Sequence, residues 1–181
     1  DSAFLAIEAR HLWKSSWLYA CHIDELPAAG SYLLWKKAGS PILIVRGKDD
    51  GVRAFYNTCR HRGGPLVKQA RGTQDGFTCG YHGWTYMLDG RLISLRDQSD
   101  VVGLELAGRS LIPVRAERFY HWIFVNENPE AQPLLEHVAP FHEFFRQFAP
   151  ERIRWVAHEA FNVECNVKLL LEAFLEVYHL K

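Results

Sequence analysis

The sequence lacks the features that would indicate a membrane-embedded or nucleic-acid-binding chain. Its longest apolar runs, such as Pro41 to Val45, are far too short to span a bilayer, and no basic start leads into an apolar signal core. Lys plus Arg and Asp plus Glu both number 21, so no net charge favours nucleic acid or an anionic membrane surface. We therefore expect a soluble, cytoplasmic protein with neither nucleic acid nor membrane as a partner.

Cysteine is also scarce, with four residues among 181. In a reducing compartment, paired Cys and His spacings favour a metal site over a disulfide. Cys21 and Cys165 belong to no such pair, and we predict that both are buried small hydrophobes. The hydrophobic content of 48% is sufficient for a real core in a chain of this length.

Most of the chain has the pattern of an antiparallel β protein. Apolar positions at helical spacing predict a short helix within residues 2–13. Short β-rich runs then alternate with Pro, Gly and Asp clusters, and Asp89-Gly90 is a candidate hairpin turn. The runs are WLYACHI, SYLLWKK, PILIVRG, VRAFYNT, WTYMLDGRLI and LIPVRAERFYHWIFVNEN.

The pattern changes after a proline-containing connector. LLEHVAPFHEFFRQF predicts one or two short helices broken at Pro140. Its four phenylalanines are predicted to pack in a core: Phe141, Phe144, Phe145 and Phe148. Residues 152–164 predict one longer strand, and Asn166 is a candidate N-cap for a helix through LLLEAFLEVYHL. Since the sequence starts without Met and stops within that helical pattern, we expect a fragment of a longer protein.

Two Cys and two His stand close together in CRHRGGPLVKQARGTQDGFTCGYHGW, residues 59–84. They form Cys-x-His and Cys-x-x-His, with seventeen residues between His61 and Cys79. A single tetrahedral zinc usually takes more widely spaced pairs than Cys59-x-His61. A two-iron cluster relieves the difficulty, because two thiolates can hold one iron and two imidazoles the other. A structural zinc site, or two unrelated loops, are the alternatives.

Glycines in the same stretch favour the cluster. They would let the backbone approach bridging sulfides and free its amides to donate hydrogen bonds. These glycines are Gly63, Gly64, Gly80 and Gly83.

Cys59-Arg60-His61-Arg62-Gly63-Gly64, taken with Cys79-Gly80-Tyr81-His82-Gly83-Trp84, resembles the Rieske 2Fe-2S domain, and the resemblance spans residues 40–125. It implies that Cys59 and Cys79 hold one iron and that His61 and His82 hold the other. Neither loop has the spare Cys of the respiratory Rieske proteins. The sequence is therefore similar to the ferredoxin or oxygenase branch, at the low end of potentials of roughly −150 to +300 mV.

Three other residues of these loops have two interpretations each. Arg60 and Arg62 are either ordinary surface charge or groups that dock a partner or tune the cluster. Trp84 is either packing beneath the loops or an electron conduit.

The C-terminal segment contains a second candidate site. On a helical wheel Glu172, Glu176 and His179 share one stripe of a helix that is otherwise apolar and therefore predicted to be buried. Buried carboxylates must be paired or bound to metal. Lys168 precedes Glu172 by four residues, so a narrow solvated face with an ion pair is the alternative.

NVKLLLEAFLEVYH resembles the start of the mononuclear iron motif in the large (alpha) subunit of Rieske non-haem iron oxygenases, within residues 164–179. Glu176 matches the carboxylate of that motif and His179 its first iron ligand. Val167 and Ala173 depart from the usual Trp and Asn. The second His and the Asp of a 2-His-1-carboxylate site would lie beyond Lys181.

The resemblance implies an α+β fold, in which an antiparallel all-β Rieske domain precedes the start of an α+β, helix-grip-like catalytic domain. The expected divisions are an N-terminal helix and first strands (1–39), the Rieske domain (40–125), a connector with short helices (126–150) and the start of the mononuclear iron domain (151–181).

The implied function is that of a terminal oxygenase component. An NAD(P)H-dependent reductase, directly or through a ferredoxin, would supply electrons through the 2Fe-2S cluster to a mononuclear Fe(II). O2 would then hydroxylate, dihydroxylate or oxidatively demethylate a small organic substrate, aromatic compounds included. Glu176 would connect the two metal sites across a subunit boundary in a homo-oligomer, such as a trimer, or an alpha-beta hetero-oligomer. The alternatives are a non-catalytic Rieske ferredoxin with a helical appendage and a zinc-stabilised binding module.

Overall fold

Two antiparallel sheets form the body of the protein in the computed structural model, which describes residues 1–96, 103 and 105–175. The helices are α1 (Ser2–Glu8), which continues into a π-helical turn (Ala9–Trp13), α2 (Leu134–His137), α3 (Ala139–Arg146) and α4 (Val167–Leu175). The strands are β1 (Leu18–His22), β2 (Ser31–Trp35), β3 (Ile42–Arg46), β4 (Val52–Tyr56), β5 (Arg71–Thr73), β6 (Gly76–Thr78), β7 (Thr85–Met87), β8 (Leu92–Ser94), β9 (Pro113–Phe119) and β10 (Trp122–Asn126). Short 3-10 turns lie at Ile23–Glu25, Ala107–Arg109 and Pro150–Arg152.

The strands pair as the sequence pattern predicts. The larger sheet has the order β1-β10-β9-β4-β3-β2-β5, and β6-β7-β8 form the smaller one. Every strand pair is antiparallel, and each predicted β-rich run contains at least one strand. The turn at Asp89-Gly90 is confirmed: Gly90 has φ of 87° and donates its N–H to the Met87 carbonyl at 3.0 Å. The antiparallel β architecture is therefore confirmed.

The central strands are covered on both faces, which explains their continuous apolar runs. In β3, Leu43 faces the core cluster that contains Phe77 and Tyr86, whereas Ile42 and Ile44 face the cluster around Ile123. All three β3 side chains have no exposed surface. Burial of each such Leu or Ile side chain contributes about 1.5–3 kcal/mol to the free energy of folding, so β3 stabilises the packing on both faces of the sheet. The smaller sheet lies on the first of these faces.

The predicted helices at both ends of the β region are present. Asp1 caps α1 by accepting the Ala3 N–H at 2.9 Å. The break between α2 and α3 falls at Val138, and Pro140 occupies the first turn of α3, where its missing N–H costs nothing.

Two predictions about side-chain burial are wrong. Phe141, Phe144 and Phe148 are each more than half exposed, and only Phe145 packs against Phe119 of β9. A helix as short as α3 presents a single face to the sheet, so phenylalanines distributed around it cannot all be buried. Cys165 is exposed as well, whereas Cys21 is buried as predicted.

The segment from 152 to 164 also differs from its prediction. It forms no strand, because within the described residues no strand edge pairs with its backbone. The N-cap at Asn166 is confirmed, since its side-chain oxygen accepts the Lys168 N–H at 2.9 Å.

The expected burial of α4 is not observed. Leu171 is 50% exposed and Phe174 81% exposed, because little of the described chain packs against this helix. The Lys168 ammonium contacts the Glu8 carboxylate of α1 at 2.5 Å, and not Glu172. Among the described residues, no helix combines the length and apolar content needed to cross a bilayer.

Candidate metal centre

The two Cys-containing loops repeat one backbone arrangement. In the first loop, the Cys59 N–H donates to the Gly64 carbonyl at 2.8 Å and the Gly63 N–H donates to the Cys59 carbonyl at 3.0 Å. In the second loop, the Cys79 N–H donates to the Trp84 carbonyl at 2.8 Å and the Gly83 N–H donates to the Cys79 carbonyl at 2.9 Å. The first loop follows β4 and the second connects β6 to β7. Each Cys therefore lies at the start of a closed turn of the same length.

Glycine is required at two equivalent points of these turns. Gly63 and Gly83 have φ of 72° and 70°, a left-handed conformation that costs other residues about 1–2 kcal/mol. Gly64 has a different role, because a Cβ built there would lie 3.4 Å from the Cys79 sulfur. Gly80 has no atom within 4 Å of such a Cβ and a negative φ, so the described chain does not require glycine there.

The structure brings together the four side chains that the sequence singled out. The Cys59 and Cys79 thiols are buried, each residue being 3% exposed, and neither forms a disulfide. His61 is exposed and His82 is half-buried, with ring centroids 4.6 Å apart. The candidate ligands thus separate into a buried sulfur pair and an outer imidazole pair.

This separation fits two metal ions better than one. Across residues 1–96, 103 and 105–175, no group of three or more His, Cys, Asp or Glu side chains converges on a single ion position. A tetrahedral zinc needs such convergence, whereas a Rieske cluster has two Cys on one iron and two His on the other.

The electrostatics of Cys59 and His61 also fit ligands of a cationic iron-sulfide core. Burial raises the pKa of the Cys59 thiol, an effect that the neighbouring Cys79 reinforces and a hydrogen bond from Tyr86 opposes. A buried thiolate at Cys59 therefore needs an adjacent cation, and iron would provide it. Partial desolvation is the largest effect that lowers the pKa of His61, and repulsion from the charges of His82 and Arg62 lowers it further. A neutral imidazole with a free lone pair is the form that binds metal.

Tyr86 contributes a hydrogen bond that the sequence analysis missed. Its hydroxyl lies 3.4 Å from the Cys59 sulfur and accepts the Arg60 N–H at 3.0 Å. Burial raises the pKa of Tyr86, so the hydroxyl keeps its proton and can donate a hydrogen bond to the sulfur once Cys59 is ionised. Strand alternation from buried Trp84 would have indicated that Tyr86 points inward as well.

Asn57 was missed too, and it holds the base of the first loop. Its side-chain oxygen accepts the N–H groups of Leu66 and Val67, both at 3.0 Å, and its amide donates to the Val67 carbonyl at 2.8 Å. Asn57 is 4% exposed, so an Ala replacement would leave three buried polar groups unpaired. We attribute roughly 2–4 kcal/mol of stability to this set of bonds.

Trp84 belongs to the packing beneath the loops. It is 8% exposed and part of the core cluster that contains both cysteines. The second candidate site has no geometry to report, because Glu176 and His179 lie outside the described residues; Glu172 is exposed on α4.

Comparison with known proteins identifies the class to which this arrangement belongs. The model of the Rieske [2Fe-2S] domain matches residues 16–107. The chain therefore belongs to the Rieske [2Fe-2S] domain family, and its cofactor is a 2Fe-2S cluster. This excludes the zinc-stabilised module.

The similarity continues beyond the Rieske domain. The glycine betaine monooxygenase oxygenase subunit of Chromohalobacter salexigens is 31% identical over 179 residues, which are 99% of this chain and 40% of that protein. The large oxygenase component of naphthalene 1,2-dioxygenase from Pseudomonas putida is 33% identical over 141 residues, 76% of this chain and 31% of that protein. The chain thus resembles the large subunits of Rieske oxygenases.

A solved structure supports the same relationship. The crystal structure of a quaternary ammonium Rieske monooxygenase in complex with L-carnitine superposes with a TM-score of 0.90 at 30% identity, over 99% of this chain and 51% of that one. The α+β class that the resemblance implied is confirmed. The chain spans half or less of the length of the curated relatives it matches.

Proposed function

We propose that the chain is the N-terminal part of a Rieske-type terminal oxygenase. The observation that supports this most strongly is the extent of the similarity. The Rieske model ends at residue 107, yet the oxygenase subunit of glycine betaine monooxygenase aligns with 99% of the chain. A free-standing ferredoxin has no need of the connector, α2, α3 and α4 that this alignment includes. The non-catalytic ferredoxin is therefore the less favoured alternative.

In this proposal Cys59 and Cys79 hold one iron of the cluster, and His61 and His82 hold the other. The burial of the sulfurs, the exposure of His61 and the partial exposure of His82 support this division. The bound cluster supplies one-electron transfer. The buried thiolates keep water from the sulfur side, while the exposed His61 edge gives a donor protein access. Arg62 is exposed and close enough to lower the pKa of His61, so its charge would attract an acidic donor surface at this edge.

Glu176 and His179 belong to the same proposal with different roles. His179 would bind a mononuclear Fe(II), which supplies O2 activation when bound. Glu176 would connect His179 to a cluster imidazole of a neighbouring subunit. The oxygenase would then require an oligomer, either a homotrimer or an alpha-beta assembly. A reductase, directly or through a ferredoxin, would deliver electrons from NAD(P)H, and the cytoplasm, where NAD(P)H is available, would be the site of action.

The substrate proposed first is a small quaternary ammonium compound, which would be hydroxylated or oxidatively demethylated. The relatives named for glycine betaine and carnitine cover 95–99% of the chain, whereas the naphthalene dioxygenase component covers 76%. Aromatic substrates are the second candidate.

The experiment uses the full-length protein with a matched reductase. Glycine betaine, carnitine and naphthalene are supplied in turn, while O2 uptake and product are measured together. Product from a quaternary amine, with O2 consumed in proportion, is expected. Product from naphthalene alone would overturn the substrate class. A protein with a Rieske spectrum and no product from any compound of a broader panel would favour the ferredoxin alternative.

The role of Glu176 is tested separately. Glu176→Gln should reduce turnover strongly while iron content stays unchanged, because the relay and not metal binding is removed. Normal turnover in that variant would contradict the relay.

A further inference from the structure

Among the positions at which the two loops differ, one is the residue whose carbonyl accepts the Cys N–H. In the first loop this residue is Gly64, which lies against the Cys79 sulfur of the second loop. In the second loop it is Trp84, whose indole lies against His61 of the first. Each loop therefore supports a candidate ligand of the other, but only the second does so with a side chain.

The contact between Trp84 and His61 is a face-to-face stack. The ring centroids are 4.9 Å apart and the planes differ by 10°. The second torsion of a His side chain is broad, so an exposed imidazole has no intrinsic preference for one ring plane. A flat surface on one face removes that freedom. Trp84 is 8% exposed within the core, so its own ring is held in place.

Within the described residues, His82 has no buried ring stacked on it as His61 has. Its aromatic neighbour Tyr81 is adjacent in sequence, 64% exposed and tilted by 33° at a centroid distance of 3.8 Å. Since Tyr81 is mostly in solvent, it does not fix a plane as a buried indole does. The two imidazoles therefore have unequal surroundings: a core-anchored indole beside one, and a surface phenol beside the other.

We propose that Trp84 is a positioning residue that fixes the ring plane of His61 for binding to the cluster, while its carbonyl sets the start of the second loop at Cys79. One residue thus aligns a ligand from each loop. The inference rests on the ligand assignment proposed above and is independent of the substrate and of oxygenase turnover.

The test uses the full-length, cluster-loaded protein and the electron paramagnetic resonance spectrum of the reduced cluster, with nitrogen hyperfine couplings and the reduction potential. Trp84→Phe keeps an aromatic face, and Trp84→Leu keeps apolar contact but removes the plane. Trp35→Leu is the matched control, because Trp35 is also buried but belongs to the other core cluster. Tyr81→Leu removes the ring beside His82.

We expect Trp84→Leu to broaden the spectrum, change one of the two histidine couplings and shift the potential. Trp84→Phe should restore the wild-type signal, and Trp35→Leu should lower the unfolding temperature without changing the spectrum. Loss of the cluster from Trp84→Leu but not from Trp84→Phe, at equal unfolding temperature, supports the proposal equally. A wild-type spectrum in Trp84→Leu, or loss of the cluster from both variants, overturns it.

Two further outcomes separate this inference from the function proposed above. A His61→Ala protein with an unchanged Rieske spectrum would refute the ligand assignment, and the role of Trp84 with it. A wild-type Rieske spectrum without oxygenase turnover would contradict the oxygenase proposal alone.

Discussion

Tyr86 has the most direct effect on the electronic properties of the centre among the residues that are not candidate ligands. Its hydroxyl lies 3.4 Å from the Cys59 sulfur and would donate to the thiolate of a bound cluster, and such a bond stabilises the electron-rich reduced cluster more than the oxidised one. We predict that Tyr86→Phe lowers the reduction potential. A loss of about 1 kcal/mol of preferential stabilisation corresponds to about 40 mV for a one-electron couple.

Protein-film voltammetry measures this shift, and Tyr32→Phe is the control. Tyr32 is buried in the same core cluster but hydrogen-bonds no candidate ligand. An equal potential in Tyr86→Phe and the wild type would show that the hydroxyl does not act on the cluster.

The two cysteines outside the loops should differ in reactivity. Burial, and then the charge of Glu25, raises the pKa of Cys21 to about 12, whereas Cys165 is exposed. Because the thiolate is the nucleophile, iodoacetamide at pH 8 should modify Cys165 and leave Cys21 intact in the folded, cluster-loaded protein. Mass spectrometry of the digested protein reads both sites. Modification of Cys21 at the rate of Cys165 would contradict its burial.

The same shift has a stability consequence with a definite sign. The unfolded thiol ionises near 9.0 and the folded one near 12, so the folded state retains the proton longer. This contribution to the free energy of unfolding is fully present below pH 9.0 and is lost as the pH rises toward 12.

The spacing of Cys and His in the sequence predicted that the candidate cluster ligands come together, because two ligands on one short turn are held close to each other by the backbone. It did not predict Tyr86, which reaches the first loop from β7 through a tertiary contact. It also did not predict Asn57, since spacing does not reveal that its side chain closes the loop onto the backbone of Leu66 and Val67. The predicted burial of Cys165 was wrong because residue type alone gives only the average burial of a Cys. In the part of the chain that the structure describes, no element packs over Cys165.

At the scale of the elements, the repeated turn geometry makes a matched pair of glycine substitutions informative. Gly63→Ala should lower the free energy of unfolding by about 1–2 kcal/mol, because φ is 72° and no close contact offsets the strain. Gly80→Ala should change it by about 0.5 kcal/mol or less, since Gly80 has a negative φ and open space around it.

Urea unfolding of the two variants, each loaded with cluster, measures this difference. Equal stabilities would mean that the left-handed turn is not needed for the loop.

Strands were more predictable than the segments that follow them. The runs in β2 and β3 are apolar, β-branched and bounded by turn residues, so local sequence and global pairing agree. Residues 152–164 have comparable local preference but no neighbouring strand edge among the described residues. A strand exists only as part of a ladder, and the sequence of one segment does not reveal whether its partner is present.

At the scale of the whole molecule, α4 exposes an apolar surface that the described residues, 1–96, 103 and 105–175, do not cover. Leu171 and Phe174 are 50% and 81% exposed. Contiguous apolar surface of this kind binds hydrophobic dyes. We predict that replacing both residues with Gln reduces dye fluorescence of the isolated chain, while the free energy of unfolding changes by about 0.5 kcal/mol or less.

Ile112→Gln is the control, because Ile112 is 44% exposed but lies far from α4 in the sequence, just before β9. Unchanged dye binding in the double variant, or a marked loss of stability, would show that α4 is already covered. The helical wheel predicted burial of α4 from its apolar surface alone, whereas burial depends on what packs against the helix, and the described residues leave Leu171 and Phe174 exposed.

The strand order has a consequence for how the protein assembles. β1, residues 18–22, pairs with β10, residues 122–126, whereas Asn57, both Cys loops and the β6-β7-β8 sheet all fall within residues 57–94. Closing a long loop costs more chain entropy than closing a short one, and pairings distant in sequence form slowly. The two Cys loops and the smaller sheet are therefore formed by contacts that are close in sequence, whereas the larger sheet needs the distant pairing of β1 with β10. We expect the sites for iron and sulfide to form before β1 and β10 pair.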